Sequence, residues 1–158
     1  MKQLRKFFTL TLLLFTVSIQ FAAAQSIESQ WRDFFNAKNQ LAYRTICRLA
    51  HPTNTFVSGS MYIDGGYFIV TIHSEDYTLK VRLHKSNDRF DSIEKISDND
   101  WAPTWVFSNI IKSFANDMYE NYHSDVIARI ERMYGQRLYD MNAKQMTLAA
   151  LTLQLWVY

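Results

Sequence analysis

The stretch FVSGSMYIDGGYFIVTIHSEDYTLKVRLH, residues 56–84, decides the fold. It alternates apolar and polar residues with a period of two, as half-buried strands do. Asp64-Gly65-Gly66 is a hairpin turn signal, because tight primed turns need positive φ and glycine accepts it. Glu75-Asp76 marks a second, weaker turn. With Gly65-Gly66 as the loop, Ile63 faces Phe68, Met61 faces Val70 and Gly59 faces Ile72. With Glu75-Asp76 as the loop, Ile72 faces Leu79, Val70 faces Val81 and Phe68 faces Leu83. Both hairpins put their apolar residues on one face, and a one-residue slip would scramble it. An Asp64-Gly65 turn keeps the same faces, so parity alone does not choose between the turns. Phe90–Ile96 adds a fourth, less regular strand with a bulge.

The same pairing sets the opposite face. Tyr62, Ile69 and Arg82 form one row, Ser60, Thr71 and Lys80 the next, and Ser58, His73 and Thr78 a third. Six of these are the candidate binding residues: Tyr62, Ile69, Thr71, His73, Lys80 and Arg82. The aromatic, hydroxyl and basic mixture suits a protein, peptide or small anion. A solvated face is the ordinary alternative for an antiparallel sheet, and cover by the C-terminal tail is another.

On both sides the period changes to that of helices. Ile27, Trp31, Phe34, Phe35, Ala42, Ile46 and Leu49 predict an amphipathic helix over 27–50, capped by Ser26 and ended at His51-Pro52. Val106, Ile110, Phe114, Met118 and Tyr122 predict a helix over 104–122, capped by Asp100 or Thr104. Another begins near Ser124, with Gly135 ending or interrupting it. From Ala143 to Tyr158 the pattern fits a helix (Met146, Ala149, Ala150, Leu153, Val157), with an edge strand as the alternative. The fold class expected is α+β: an N-terminal helix, an antiparallel four-stranded β-meander, and two to three C-terminal helices packed on one sheet face.

The first 24 residues read as a secretory signal peptide. Lys2, Arg5 and Lys6 precede an uncharged apolar run from Phe7 to Phe21, and Ala22-Ala23-Ala24 supplies small residues before a cut ahead of Gln25. The apolar run is shorter than the roughly 20 residues a membrane span needs. The expectation is an exported protein, periplasmic or extracellular, with residues 25–158 as a single domain and no stable membrane anchor after cleavage. The 158-residue chain carries 17 Lys+Arg against 15 Asp+Glu. Losing Lys2, Arg5 and Lys6 leaves 14 against 15, a net charge of −1. Such a chain offers no electrostatic reason to bind nucleic acid. Cys47 is the only cysteine, so no intramolecular disulfide forms; its place on the apolar side of a helix predicts a buried, inert thiol.

Motifs that carry chemistry are scarce, and no catalytic residue, metal ligand or cofactor is assigned. His51, His73, His84 and His123 show no metal-ligand spacing. Glu120 and His123 make a single E-x-x-H step, where di-metal bundles need two. Asp98-Asn99-Asp100 starts like a calcium loop, but lacks its central glycine and has Asn109 at the twelfth position. There is no Gly-x-Ser-x-Gly elbow and no phosphate-cradling glycine loop. A helix followed by an antiparallel meander is similar in order to cystatin-like folds. Their Gln-x-Val-x-Gly motif is absent: Val57-Ser58-Gly59 keeps two positions, but Thr55 stands where Gln belongs, and no function is carried over.

Three functions are therefore open. The first is a non-enzymatic binding protein that engages a protein or peptide with the outer sheet face. The second is a carrier of a small apolar ligand in a sheet–helix pocket, suggested by 24 aromatic residues, 20 of them after the leader. The third is a hydrolase whose site the sequence does not reveal.

Overall fold

The computed structural model describes residues 27–38, 40–50, 55–97 and 104–157, without the side chains of 104–108. The leader, the Ser26 and Asp100 caps, the His51-Pro52 stop and the Asp98-Asn99-Asp100 segment lie outside the described residues. Two helical segments, α1 (27–38) and α2 (40–50), lead into β1 (Phe56–Asp64), β2 (Tyr67–Ser74), β3 (Thr78–Ser86) and β4 (Arg89–Lys95). Then come α3 (Thr104–Asn121), α4 (Ser124–Tyr134), a short 3₁₀ turn at Leu138–Asp140, and α5 (Ala143–Val157). The class is α+β, as expected.

The sheet is an antiparallel meander in the order β1-β2-β3-β4. Its registers are those the alternation dictates: Ile63 opposite Phe68, Met61 opposite Val70, Ile72 opposite Leu79 and Val70 opposite Val81. Asp64 pairs with Tyr67, so Gly65 and Gly66 make the turn, at φ of 53° and 84°. Two positive φ values in succession are what a primed two-residue turn requires. Bulges interrupt β1 at Val57 and β4 at Asp91. The second explains the irregular fourth strand. Phe90 and Ile93 are three residues apart and would face opposite ways in a regular strand, yet both are buried in the same core. The extra residue restores their parity.

The core-facing side of the sheet meets a cluster of rings. Trp31, Phe34, Phe35, Phe68 and Phe90 lie within 6.2 Å of one another in a chain of edge and tilted contacts. Tyr43 stacks on Phe56 at 7° between planes and covers Gly59. A Cβ at Gly59 would come within 2.5–2.8 Å of the Tyr43 ring, so this position needs glycine for close approach.

The single helix expected over 27–50 is instead two segments. Lys38 and Gln40 both take positive φ, 34° and 61°. Eight residues of straight helix would separate two Cα atoms by about 12 Å, yet the rings of Phe35 and Tyr43 are 5.5 Å apart. Both segments bury apolar residues at helical spacing, so the periodicity runs across the break without showing it.

The tail is a helix, and its start explains why. Asn142 Oδ1 accepts from Gln145 N–H, and Gln145 Oε1 accepts from Asn142 N–H, both at 2.9 Å. This reciprocal cap satisfies orphan donors that a strand would not have. Every residue from Met146 to Leu153 is buried. Leu148 and Leu151 join the sheet-side core, while Met146, Ala149 and Leu153 join a second core with Ile111, Ala115, Met118, Ile127 and Ile130. A helix apolar all round belongs between two layers, and α5 lies there. The His123 side chain caps α4 by accepting from Asp125 N–H, and Gly135 ends it at φ 67°.

A buried polar ring ties β4, α4 and α5. Phe90 N–H donates to Thr152 Oγ1 (2.9 Å), Thr152 Oγ1 lies 2.7 Å from Tyr134 Oη, and Tyr134 O–H donates to Phe90 O at 2.5 Å. The cycle is complete when the threonine hydroxyl donates to the tyrosine oxygen. Burial pushes the Tyr134 phenol up to about 12. Burial likewise pushes Tyr43 up to about 12, but its hydroxyl has no hydrogen-bond partner among the described residues. The same substitution should therefore have opposite signs at the two tyrosines. Tyr134→Phe is expected to destabilise by about 1–3 kcal/mol, because it leaves buried partners unpaired. Tyr43→Phe is expected to be neutral or stabilising, since it removes an unpaired buried hydroxyl. Urea unfolding of both variants measures this, and equal losses would contradict the assignment.

Candidate functional site

Two surfaces merit comparison: the outer sheet face and a cleft on the helical side. The sheet register brings the expected rows together, with Tyr62 opposite Ile69 opposite Arg82, Ser60 opposite Thr71 opposite Lys80, and Ser58 opposite His73 opposite Thr78. Tyr62 and His73 are exposed, and Thr71, Lys80 and Arg82 are half-buried. Ile69 departs from expectation. Only 5 % of its surface is exposed, because the long side chains of the flanking strands close over a central-strand position. The tail does not cover this face, since α5 packs against the opposite, core-facing side.

The outer face is largely self-satisfied. Arg82 donates to Glu94 at 2.5 and 3.1 Å and stacks over the Tyr67 ring at 5.2 Å. Lys80 lies 6.0 Å from the Tyr62 ring centre. His73 Nδ1 meets Thr78 Oγ1 at 3.2 Å, and His84 Nδ1 meets Asp91 at 2.7 Å. Asp91 is the bulge residue of β4, so the bulge that repairs the core also delivers a carboxylate to His84. Exposed apolar groups remain here, namely Val57, Tyr62, Tyr67 and Ile96.

The cleft has a volume of about 620 Å³ and lies between α2, α3 and α5. Its apolar lining includes Leu41, Phe114, Met118 and Leu153. Arg44, Arg48, Asp117, Asn121 and Gln154 supply polar groups. From the sheet only Phe56 reaches it. The described part of the layer between sheet and helices is filled by the ring cluster, and the cleft lies among the helices instead. A smaller hollow of about 140 Å³ lies beside it and shares Leu41, Tyr122 and Gln154.

Arg44 lies over the Phe56 ring at 5.6 Å, and Arg48 over the Phe114 ring at 4.5 Å. Both side chains are exposed to the cleft, and neither forms an ion pair among the described residues. The sequence reading missed them. Their four-residue spacing on a helix was visible, but nothing in it told that Phe114 and Leu153, far along the chain, would wall the same space.

Among the described residues no histidine lines the cleft. His123 is engaged as a helix cap. Among the described residues no three His, Cys, Asp or Glu side chains gather as metal ligands, and no helix is long and apolar enough to cross a membrane. Comparison with protein-family models, curated proteins and solved structures returns no match, so function rests on this geometry.

Cys47 also borders the cleft, yet it is 2 % exposed. Burial pushes its thiol above the ordinary cysteine range. Since the thiolate is the nucleophile, Cys47 is expected to react slowly with an aromatic disulfide reagent at neutral pH and rapidly in denaturant. Fast stoichiometric labelling of the native protein would show that this wall of the cleft is open.

Proposed function

We propose that the chain is an exported, non-enzymatic carrier or receptor for a small ligand, held in the cleft between α2, α3 and α5. The observation that carries this reading is the cleft itself: about 620 Å³, within the roughly 300–1,000 Å³ usual for ligand sites, with an apolar lining and a few convergent polar groups. Export rests on the basic and apolar pattern of residues 1–24.

A second reading keeps the outer sheet face as a docking surface for a protein or peptide. It is favoured by the exposed Tyr62 and Tyr67 rings beside Lys80 and Arg82. Aromatic and arginine side chains are the types that dominate interface energetics.

Native mass spectra of the protein recovered from the exported fraction test the first reading. The expected result is a chain beginning at Gln25 with additional small-molecule mass. Leu41→Trp narrows the cleft from an exposed position and is expected to strip that mass while leaving the circular dichroism unchanged. Ligand retained in full by Leu41→Trp would move the site elsewhere. For the second reading, the Tyr62→Ala and Arg82→Ala pair should weaken capture of a partner by tenfold or more without unfolding the chain. Unchanged capture would dismiss the sheet face.

A further inference from the structure

Resting on the cleft reading, we infer that the ligand is an anionic amphiphile with a single carboxylate, its head between Arg44 and Arg48 and its apolar tail running past Leu41. Three observations support this assignment.

The first is charge. Arg44 and Arg48 lie four residues apart on α2, so they project from one face. Like charges at this spacing repel weakly, and an anion bound near both relieves that repulsion. Among the described residues neither has a carboxylate partner. Each is instead held over an aromatic face, Phe56 on one side and Phe114 on the other. That stacking orients the planar forks and leaves their N–H edges available for the paired oxygens of a carboxylate.

The second is the count of charges. Asp117 is the one acidic residue in the lining among the described residues. Two arginines against one aspartate leave a surplus of one positive charge. A monoanion balances it, whereas a phosphate dianion would meet the Asp117 carboxylate with excess negative charge.

The third is polarity along the trough. From Leu41 to Arg48 the helix rises about 10 Å. Arg48 stands at one end of this length and Leu41 at the other. Beyond Leu41 the neighbouring hollow is lined by Phe34, Ala37, Ala42 and Val157, together with Lys38, Tyr122 and Gln154. An extended chain entering from the arginines meets a hollow whose walls are mostly apolar, with Lys38 and Gln154 as its polar ends.

Calorimetric titration of the purified protein with dodecanoate, dodecanol, dodecyl phosphate and dodecyltrimethylammonium tests the inference. Dodecanoate is expected to bind at least tenfold tighter than dodecanol and tighter than the phosphate. The Arg44→Gln, Arg48→Gln double variant should erase the preference over dodecanol, leave dodecanol affinity within about twofold, and keep the wild-type circular dichroism. Equal affinity of the native protein for dodecanoate and dodecanol overturns the head-group assignment while leaving the cleft reading in place. Preference for the ammonium overturns it in favour of recognition by Asp117. Dodecanoate binding that neither the double variant nor Leu41→Trp weakens places the acid elsewhere and overturns it. Binding of none of the four overturns this inference, and a bare native mass in the exported protein would then remove the cleft reading as well.

Discussion

The burial of α5 on all its sides is the constraint on which the rest of the molecule depends. Its residues Met146 to Leu153 are buried, and each large apolar side chain so buried contributes roughly 1.5–3 kcal/mol relative to exposure. It completes the cover that Phe34, Phe35 and Tyr43 give the sheet, and it closes the core of the α3–α4 pair. Polar contacts fix how α5 sits between them. Thr152 accepts from the β4 backbone, and Trp156 Nε1 donates to Asp88 O at the tip of the β3–β4 hairpin. Arg129 of α4 stacks on Trp156 and pairs with Asp88. The hairpin tip, α4 and the end of α5 are thereby locked together, and Ala150, Leu153 and Gln154 are held in place as one wall of the cleft.

Legibility in the sequence followed the kind of physics involved. The faces of the first three strands were readable, because a period of two puts Met61, Ile63, Phe68, Val70, Ile72, Leu79, Val81 and Leu83 on one side, while the exact turn was settled only by the pairing of Asp64 with Tyr67. Gly135 stopped α4 as its chemistry suggested. The break between α1 and α2 was not readable, since apolar spacing continued through it and Lys38 and Gln40 are not residues that advertise positive φ. Ambiguity in the tail had a definite source. A helix buried all round shows neither a polar face nor a helical period, so only the Asn142–Gln145 cap distinguishes it from a strand. The cleft was the least visible, because its walls come from α2, α3 and α5 and no local pattern records their meeting.

The two surfaces differ most in how they treat arginine. On the sheet, Arg82 faces Glu94 across adjacent strands, and the hydrogen bond to Glu94 holds the guanidinium proton more firmly than usual. An incoming anion would have to compete with a partner already in place. In the cleft, Arg44 and Arg48 have aromatic partners only, among the described residues. A ring face attracts a cation but does not satisfy its N–H donors. Those donors retain their capacity for an anion, which gives the cleft the stronger claim to recognition although the sheet exposes more aromatic surface.

Placement of those arginines also bears on why the site is built from helices. A flat sheet face presents its side chains outward, and a small molecule lying on it stays largely in water. The helices leave a trough because α2 meets α3 and α5 through long side chains at its margin, while Ile46 and Leu49 below are fully buried. On the proposed reading, a ligand in that trough would lose water chiefly from its tail, and in part from its charged end. Loss of solvent strengthens each charge–charge contact, and it penalises any head group that cannot complete the pairing. Recognition in such a site follows from what the ligand leaves unpaired as much as from what it contacts.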